Sequence, residues 1–170
     1  MIPFLYANRL SVTMPKVTEF FERLRENEAA KCPLGVAGYC WGGKYAINLA
    51  HGAQASNGCL LVDCAFAAHP SGLTIPEEIE KIETPFSMAI GDLDIVMGLK
   101  EVQKVERILQ SSSLECEVRI YRGAHHGFAI RGDPGDRKEM EQGVEAEDQA
   151  VQWFLKHFAS SMQWKGQVTN

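Results

Sequence analysis

The chain has 170 residues, 45% of them hydrophobic and 23% charged, and this length and composition predict a single domain over residues 1–170 with its own hydrophobic core. Its net charge is −5 and no stretch gathers Lys and Arg, so nucleic acids and anionic membranes are unsuitable partners. Residues 1–9 lack a secretory signal pattern, and no segment has the ~20 apolar residues of a membrane span, so we expect a cytoplasmic protein.

Apolar residues recur at helical spacing in some segments and form short strand-like runs in others. Because these segments alternate, the sequence predicts an α/β fold: a doubly wound, mostly parallel sheet with helices on both faces, in three layers. Alternation within the last strand places it near the sheet edge. The predicted elements are an irregular lead-in at residues 1–14, helices at 15–28, 41–51, 76–82, 98–110 and 138–158, strands at 34–39, 59–64, 86–90 and 116–121, and a loose tail at 163–170.

The most informative segment is Gly38-Tyr39-Cys40-Trp41-Gly42-Gly43, at the junction of a predicted strand and a predicted helix. Glycines two positions either side of a central residue permit the sharp strand-to-helix turn, called a nucleophile elbow, that exposes the central side chain. Here that residue is Cys40, and a thiol near a histidine or a helix N-terminus ionises readily to the nucleophilic thiolate. An elbow of this kind predicts an acid and a histidine later in the chain.

Both groups follow, in the chain order that α/β-hydrolases use. The acid lies in Gly91-Asp92-Leu93-Asp94 and the histidine in Gly123-Ala124-His125-His126-Gly127-Phe128, and each segment follows a predicted strand. Functional side chains of parallel sheets gather where the carboxyl ends of strands enter loops. The residues themselves leave Asp92 and Asp94 as candidate acids, and His125 and His126 as candidate bases.

Taken together, these segments resemble those of the dienelactone hydrolases, a cysteine-using branch of the α/β-hydrolases. The resemblance is carried by residues 35–43, 91–94 and 125–132 and extends over most of residues 34–158. It implies that Cys40 is the nucleophile, that Asp94 is the acid that orients the histidine, and that His126 is the general base. It also implies that Arg131 meets a carboxylate of the substrate.

The implied reaction is hydrolysis of a small ester or lactone through an acyl-thioenzyme, without a metal or cofactor. The backbone N–H of Trp41 is the predicted oxyanion donor, because this fold uses the residue after the nucleophile. Tyr39 and Trp41 flank the thiol and are predicted to shape an apolar pocket for substrate. The five cysteines form neither a metal pattern nor a disulfide framework. His69, in a breaker-rich loop, is a candidate pocket residue, but the loop favours an exposed position and we expect it to be exposed.

Complete members of the family are longer, so this chain is expected to lack their N-terminal strands and the second oxyanion donor that follows one of them. Two alternatives follow: an impaired hydrolase fold that acts as a binding or regulatory module, and an incomplete gene model. A third is a thiol sensor in which Cys40 is oxidised. A shortened sheet would expose an unpaired edge, so association into homo-oligomers through that edge is also predicted.

Overall fold

The computed structural model describes residues 6–132 and 134–167. Strands alternate with helices along most of this part of the chain, as the sequence predicts, but no helix separates the second strand from the third. Within it, no helix combines the length and the apolar character needed to cross a membrane. The elements in chain order are α1 (Leu10–Glu26), β1 (Gly35–Tyr39), α2 (Trp41–Leu49), β2 (Cys64–Ala68), β3 (Phe86–Gly91), α3 (Leu99–Ser111), β4 (Cys116–Tyr121), α4 (Phe128–Arg131) and α5 (Arg137–Gln167).

The four strands form one parallel sheet in the order β1-β2-β3-β4. Tyr39 pairs with Ala68, Ala68 pairs with Ala89, and Ile90 pairs with Ile120, so the strands end nearly level with one another. The parallel sheet is confirmed, as is the position of β4 at one edge. Because the strands are parallel, the loops that leave their carboxyl ends all lie along the same side of the sheet. Association through an exposed edge stays a prediction.

Helices cover both faces of the sheet, which confirms the three-layer arrangement. Ile47 of α2 and Val105 of α3 pack against Phe86 in a cluster on one face, where all three side chains are fully buried. The other face carries Phe128 of α4 and Ala150 of α5, together with several small or aromatic side chains of the sheet. Each large apolar side chain buried in this way contributes about 1.5–3 kcal/mol relative to an exposed one.

The first helix begins earlier than predicted, at Leu10, so residues 10–14 are not irregular. Pro15 was expected near the helix start but lies inside the helix, where it removes one backbone hydrogen bond. The extension has a tertiary cause, because Met14 and Val17 pack with Leu49 and Val62. Of the lead-in, residues 1–5 lie outside the described part of the chain.

The second strand is Cys64–Ala68, so the prediction of a strand at residues 59–64 was wrong. The predicted segment carries the larger aliphatic side chains, but its Leu61 and Val62 are buried beside α1 rather than in the sheet. The true strand, Cys-Ala-Phe-Ala-Ala, is buried along its whole length. It lies between β1 and β3, and pairing on both sides compensates for the weak strand preference of alanine.

Two further predictions need correction. Residues 76–82 form turns rather than a helix: the amides of Ile79 and Glu80 both bond to the carbonyl of Pro76, and the pattern ends before a regular helix develops. The last helix extends to Gln167, so residues 163–167 are helical rather than a loose tail. Residues 168–170 lie outside the described part of the chain.

Candidate active site

The turn from β1 into α2 has the geometry of a nucleophile elbow. Cys40 has φ 52° and ψ −119°, a conformation that is unfavourable for a residue with a Cβ. A Cβ on Gly38 would collide with the carbonyl oxygen of Gly42, and one on Gly43 would lie 2.7 Å from Cβ of Pro70. A Cβ on Gly42 would meet nothing within 4 Å. The tight packing therefore depends on Gly38 and Gly43, although the motif pairs Gly38 with Gly42.

Backbone hydrogen bonds hold Cys40 in this strained conformation. Its N–H donates to the carbonyl of Ala68 at 3.1 Å, and its own carbonyl accepts from the amides of Gly43 at 3.1 Å and Ser71 at 3.0 Å. The loop after β2 therefore closes around the elbow. Strained residues of this kind persist where the surrounding structure fixes them, and they gather at functional sites.

The acid loop after β3 and the histidine loop after β4 are packed against each other. A Cβ on Gly91 would collide with the carbonyl oxygen of Ala124, so only glycine allows the two backbones to approach this closely. The amide of Gly123 donates to Oδ1 of Asp92 at 2.6 Å, and the amide of Leu93 donates to the carbonyl of Ala124 at 3.2 Å. Asp92 thus joins the two loops and does not reach the histidine pair.

The structure brings Cys40, His126 and Asp94 into one chain of contacts. Nδ1 of His126 lies 2.9 Å from Oδ2 and 3.1 Å from Oδ1 of Asp94, and Nε2 lies 3.1 Å from Sγ of Cys40. The Asp94 carboxylate is buried and also accepts the amides of Val96 at 2.8 Å and Met97 at 3.2 Å. These bonds fix its direction towards the imidazole. The neighbouring His125 is exposed.

The thiol and the imidazole have opposite pKa shifts. Burial raises the pKa of Cys40, but hydrogen bonds from His126 and Ser71 and from the Trp41 backbone outweigh it, so the pKa lies below its ordinary value. For His126, burial lowers the pKa, but hydrogen bonds to Cys40 and Asp94 outweigh it and the pKa is raised. Together these shifts favour a thiolate paired with an imidazolium, the reactive form of a cysteine nucleophile.

The other three predicted site residues, Trp41, Tyr39 and Arg131, lie in different environments. The backbone N–H of Trp41 points at the sulfur, whereas its indole is 42% exposed and contacts the ring of Tyr45 edge-on at 4.7 Å. Tyr39 is partly buried, with its ring centroid 6.1 Å from that of Phe66 in the core on the α4–α5 face. Arg131 is exposed at the end of α4. The binding roles of Tyr39 and Arg131 stay predictions.

The expectation that His69 is exposed was wrong, because its side chain is fully buried. The residue continues β2 by one position: its N–H donates to the carbonyl of Ala89 at 2.8 Å, so it follows a buried strand rather than opening a surface loop. Its ring centroid lies 5.1 Å from that of His126. Burial, followed by the charge of His126, lowers its pKa to about 4. Correct placement of β2 would have put His69 beside Cys40.

Ser71 is a second neighbour of the thiol that the sequence did not single out. Its Oγ lies 3.8 Å from Sγ of Cys40, close enough for a weak hydrogen bond to sulfur. The backbone amide of Ser71 also donates to the carbonyl of Cys40. No motif distinguishes this serine, because it reaches the elbow only through the pairing of β1 with β2. As for metals, no group of three or more His, Cys, Asp or Glu side chains within the described ranges could hold an ion.

Known proteins resemble this chain both in sequence and in structure. Two fungal proteins, hydrolase pyvD of Aspergillus violaceofuscus and hydrolase tropI of Talaromyces stipitatus, are each 30% identical to it, over 85% and 88% of this chain and 56% of their own length. The chain therefore spans little more than half the length of these curated relatives. An α/β hydrolase from a Medee basin deep-sea metagenome, MGS-M1, superimposes with a TM-score of 0.65 at 15% identity, over 86% of this chain and 64% of that one. Residues 6–159 match the dienelactone hydrolase family, and the chain belongs to that family.

Proposed function

We propose that this protein hydrolyses small esters or lactones, with Cys40 as nucleophile, His126 as general base and Asp94 as the residue that orients His126. The observation that carries the proposal is the position of His126. One ring nitrogen lies 3.1 Å from the sulfur and the other 2.9 Å from a carboxylate that is itself fixed by two backbone amides. A nucleophile, a base and an orienting acid in this order of contact are the parts that acyl transfer requires.

The reaction starts from the thiolate of Cys40, whose proton is held on Nε2 of His126. The sulfur attacks the carbonyl carbon, and negative charge moves onto the carbonyl oxygen. The backbone N–H of Trp41, at the start of α2, then donates to that oxygen, and the helix dipole favours charge there. Collapse of the intermediate breaks the C–O bond, and His126 transfers its proton to the departing alkoxide.

Deacylation uses the same groups in the reverse sense. His126, now neutral, takes a proton from water, and the resulting hydroxide attacks the thioester carbonyl. The carboxylic acid leaves, and the sulfur is again paired with the protonated His126. For a lactone the alcohol and the acid stay in one molecule, so the product is the ring-opened hydroxy acid. Asp94 holds Nδ1–H throughout, which keeps Nε2 directed at the reacting atoms.

For substrate recognition, we propose that Arg131 binds a carboxylate on the substrate and that Tyr39 and the Trp41 indole contact its apolar part. Arg131 lies in the segment that follows His126, and its guanidinium lies beside Gly127, within 4 Å of where a Cβ on that residue would be. A guanidinium can meet a carboxylate with two parallel hydrogen bonds. Because the side chain is exposed, screening by water limits the strength of this contact.

The Arg131→Gln variant is expected to raise KM for an ester that carries a free carboxylate by roughly 3- to 10-fold, and to leave kcat nearly unchanged. The matched control is Arg137→Gln, an exposed arginine that pairs with Glu141 on α5. Steady-state kinetics with the carboxylate ester and its neutral methyl ester would separate the two contributions. An equal loss with both esters would show that Arg131 does not recognise charge.

Pre-steady-state kinetics with a p-nitrophenyl ester test the proposed function. If acylation precedes a slower hydrolysis, phenolate is released in a burst equal to the concentration of active chains, and a steady rate follows. Phenolate release no faster than with denatured protein would contradict the proposal. Rapid alkylation of Cys40 together with no ester turnover would instead favour the thiol sensor.

A further inference from the structure

His69 occupies the same place on β2 that Cys40 occupies on β1. Tyr39 and Ala68 are paired, and Cys40 and His69 are the next residues on the two strands. The N–H of Cys40 donates to the carbonyl of Ala68, and the N–H of His69 donates to the carbonyl of Ala89. Both residues have a positive φ, 52° for Cys40 and 37° for His69. Within residues 6–132 and 134–167, Cys40 and His69 are the residues other than glycine that have a positive φ. Such strain is tolerated chiefly at functional sites.

The ring of His69 is enclosed by other rings. Its centroid lies 5.1 Å from that of His126 at an interplanar angle of 70°, 5.9 Å from that of Phe128 and 6.2 Å from that of Tyr39. Among the described protein groups, neither ring nitrogen has a hydrogen-bond partner on another residue. An unpaired buried nitrogen destabilises a fold, and replacing it with an apolar group of similar shape is neutral or stabilising. Packing alone therefore does not favour histidine at this position.

The charged groups that act on His69 come from the two segments that follow β3 and β4. His126 and Arg131 follow β4 and make protonation of His69 less favourable, whereas Asp94, which follows β3, makes it more favourable. Burial is the largest influence, and the pKa falls to about 4. The ring is therefore neutral at the pH values at which a thiolate would pair with protonated His126. One nitrogen of a neutral imidazole carries a lone pair, and the ring has a dipole that a phenyl ring lacks.

We propose that the neutral ring of His69 is a positioning group that stabilises the protonated form of His126 and, through it, the thiolate form of Cys40. A dipole beside an ion acts strongly where water is excluded, and both rings are in contact inside the fold. His69 itself touches neither the sulfur nor the substrate and exchanges no proton. The inference rests on the Cys40–His126 pair of the proposed function, but not on the identity of the substrate.

The test is the pH dependence of Cys40 alkylation by iodoacetamide, followed by mass spectrometry of the peptide that contains Cys40. His69→Phe keeps an aromatic ring and removes the dipole. The alkylation rate rises with pH as Cys40 ionises, and we call this rise the thiolate limb. In His69→Phe the limb is expected to move up by about 0.5–1 pH unit, so alkylation at pH values below the limb slows roughly 3- to 10-fold. The Tm of this variant is expected to change little, because loss of the unpaired nitrogens is offset by the greater strain of phenylalanine at φ 37°. His125→Gln, at the exposed neighbouring histidine, should leave the limb unchanged.

A wild-type limb in a folded His69→Phe protein would overturn the inference, because it would reduce His69 to a packing role. If His69→Phe does not fold, His69→Asn decides by the same measurement. Asparagine tolerates positive φ but is too short to place its dipole on His126, so the same upward shift is expected. A wild-type limb there would overturn the inference equally. Alkylation requires no ester turnover, so a shifted limb in a protein that hydrolyses no ester would reject the proposed function alone.

Discussion

Replacing Cys40 with alanine is expected to reduce ester turnover by about 10⁴- to 10⁶-fold, which leaves only the residual rate that substrate binding and the oxyanion donor supply without a nucleophile. The sulfur forms the covalent bond to the acyl group, and no other described thiol or hydroxyl has His126 at hydrogen-bond distance. The fold should survive, because the backbone of residue 40 donates to Ala68 and accepts from Gly43 and Ser71, and alanine can make the same three hydrogen bonds. Initial rates with an activated ester, normalised to folded protein, measure the effect.

Cys32→Ser is the matched control for this experiment, because Cys32 is a free and exposed thiol that precedes β1 and lies outside the elbow. It is expected to retain full activity. Residual turnover above about 10% of wild type in Cys40→Ala would remove the sulfur from the mechanism, since losses at a true nucleophile are orders of magnitude larger.

The Asp94→Asn variant is expected to lower kcat by about 10³- to 10⁴-fold with little change in KM. The amide can still accept the amides of Val96 and Met97, so the loop should keep its shape. An amide that donates to His126 favours the wrong tautomer, however, and Nε2 then carries a proton instead of accepting one. Circular dichroism and Tm would establish that the variant is folded before the rates are compared.

Asp92→Asn is the matched control, two residues away in the same loop. Asp92 accepts the amide of Gly123 and has no contact with His126, and an amide oxygen can accept the same bond. Its activity is expected to remain within roughly threefold of wild type, because a single neutral hydrogen bond contributes about 1 kcal/mol. Equal losses in the two variants would mean that the loop, rather than the Asp94–His126 contact, supports activity.

Local patterns were enough to predict much of this fold. The strands at residues 86–90 and 116–121 agree with the structure to within one residue, because each is an apolar or alternating run ended by glycine or by polar residues. The elbow was recognisable because its glycine pattern is itself local: Gly38 is required by the close approach of the Gly42 carbonyl, although Gly43 is required by Pro70, which is distant in sequence. The two loops that carry Asp94 and His126 follow directly from those strands.

The errors have a non-local cause. β2 is a run of small residues whose strand character comes from β1 and β3 on either side, and no window of sequence contains those neighbours. Because β2 was predicted too early in the chain, His69 was expected at the surface and Ser71 was not recognised as a neighbour of Cys40. The start of α1 was missed because it depends on packing of Met14 against α2 and the segment before β2. Distant contacts decided each of these features.

The acid was ambiguous in the residues themselves, because Asp92 and Asp94 both follow β3 within a short loop. The resemblance favoured Asp94, and the structure gives the two carboxylates different partners: a backbone amide for Asp92 and the imidazole of His126 for Asp94. Side-chain direction in a turn depends on backbone angles that sequence spacing does not specify. Comparing the activities of Asp94→Asn and Asp92→Asn tests whether this difference in partners matters for function.

The most direct measurement of the central claim is mass spectrometry of the protein after it is mixed with p-nitrophenyl acetate and quenched in acid. We expect a mass increase of one acetyl group and a peptide map that places it on Cys40. The adduct should be lost when the reaction is left at neutral pH until the ester is exhausted and only then quenched. Cys40→Ala should carry no adduct. An adduct on another residue, or none while phenolate is released, would contradict an acyl-thioenzyme at Cys40.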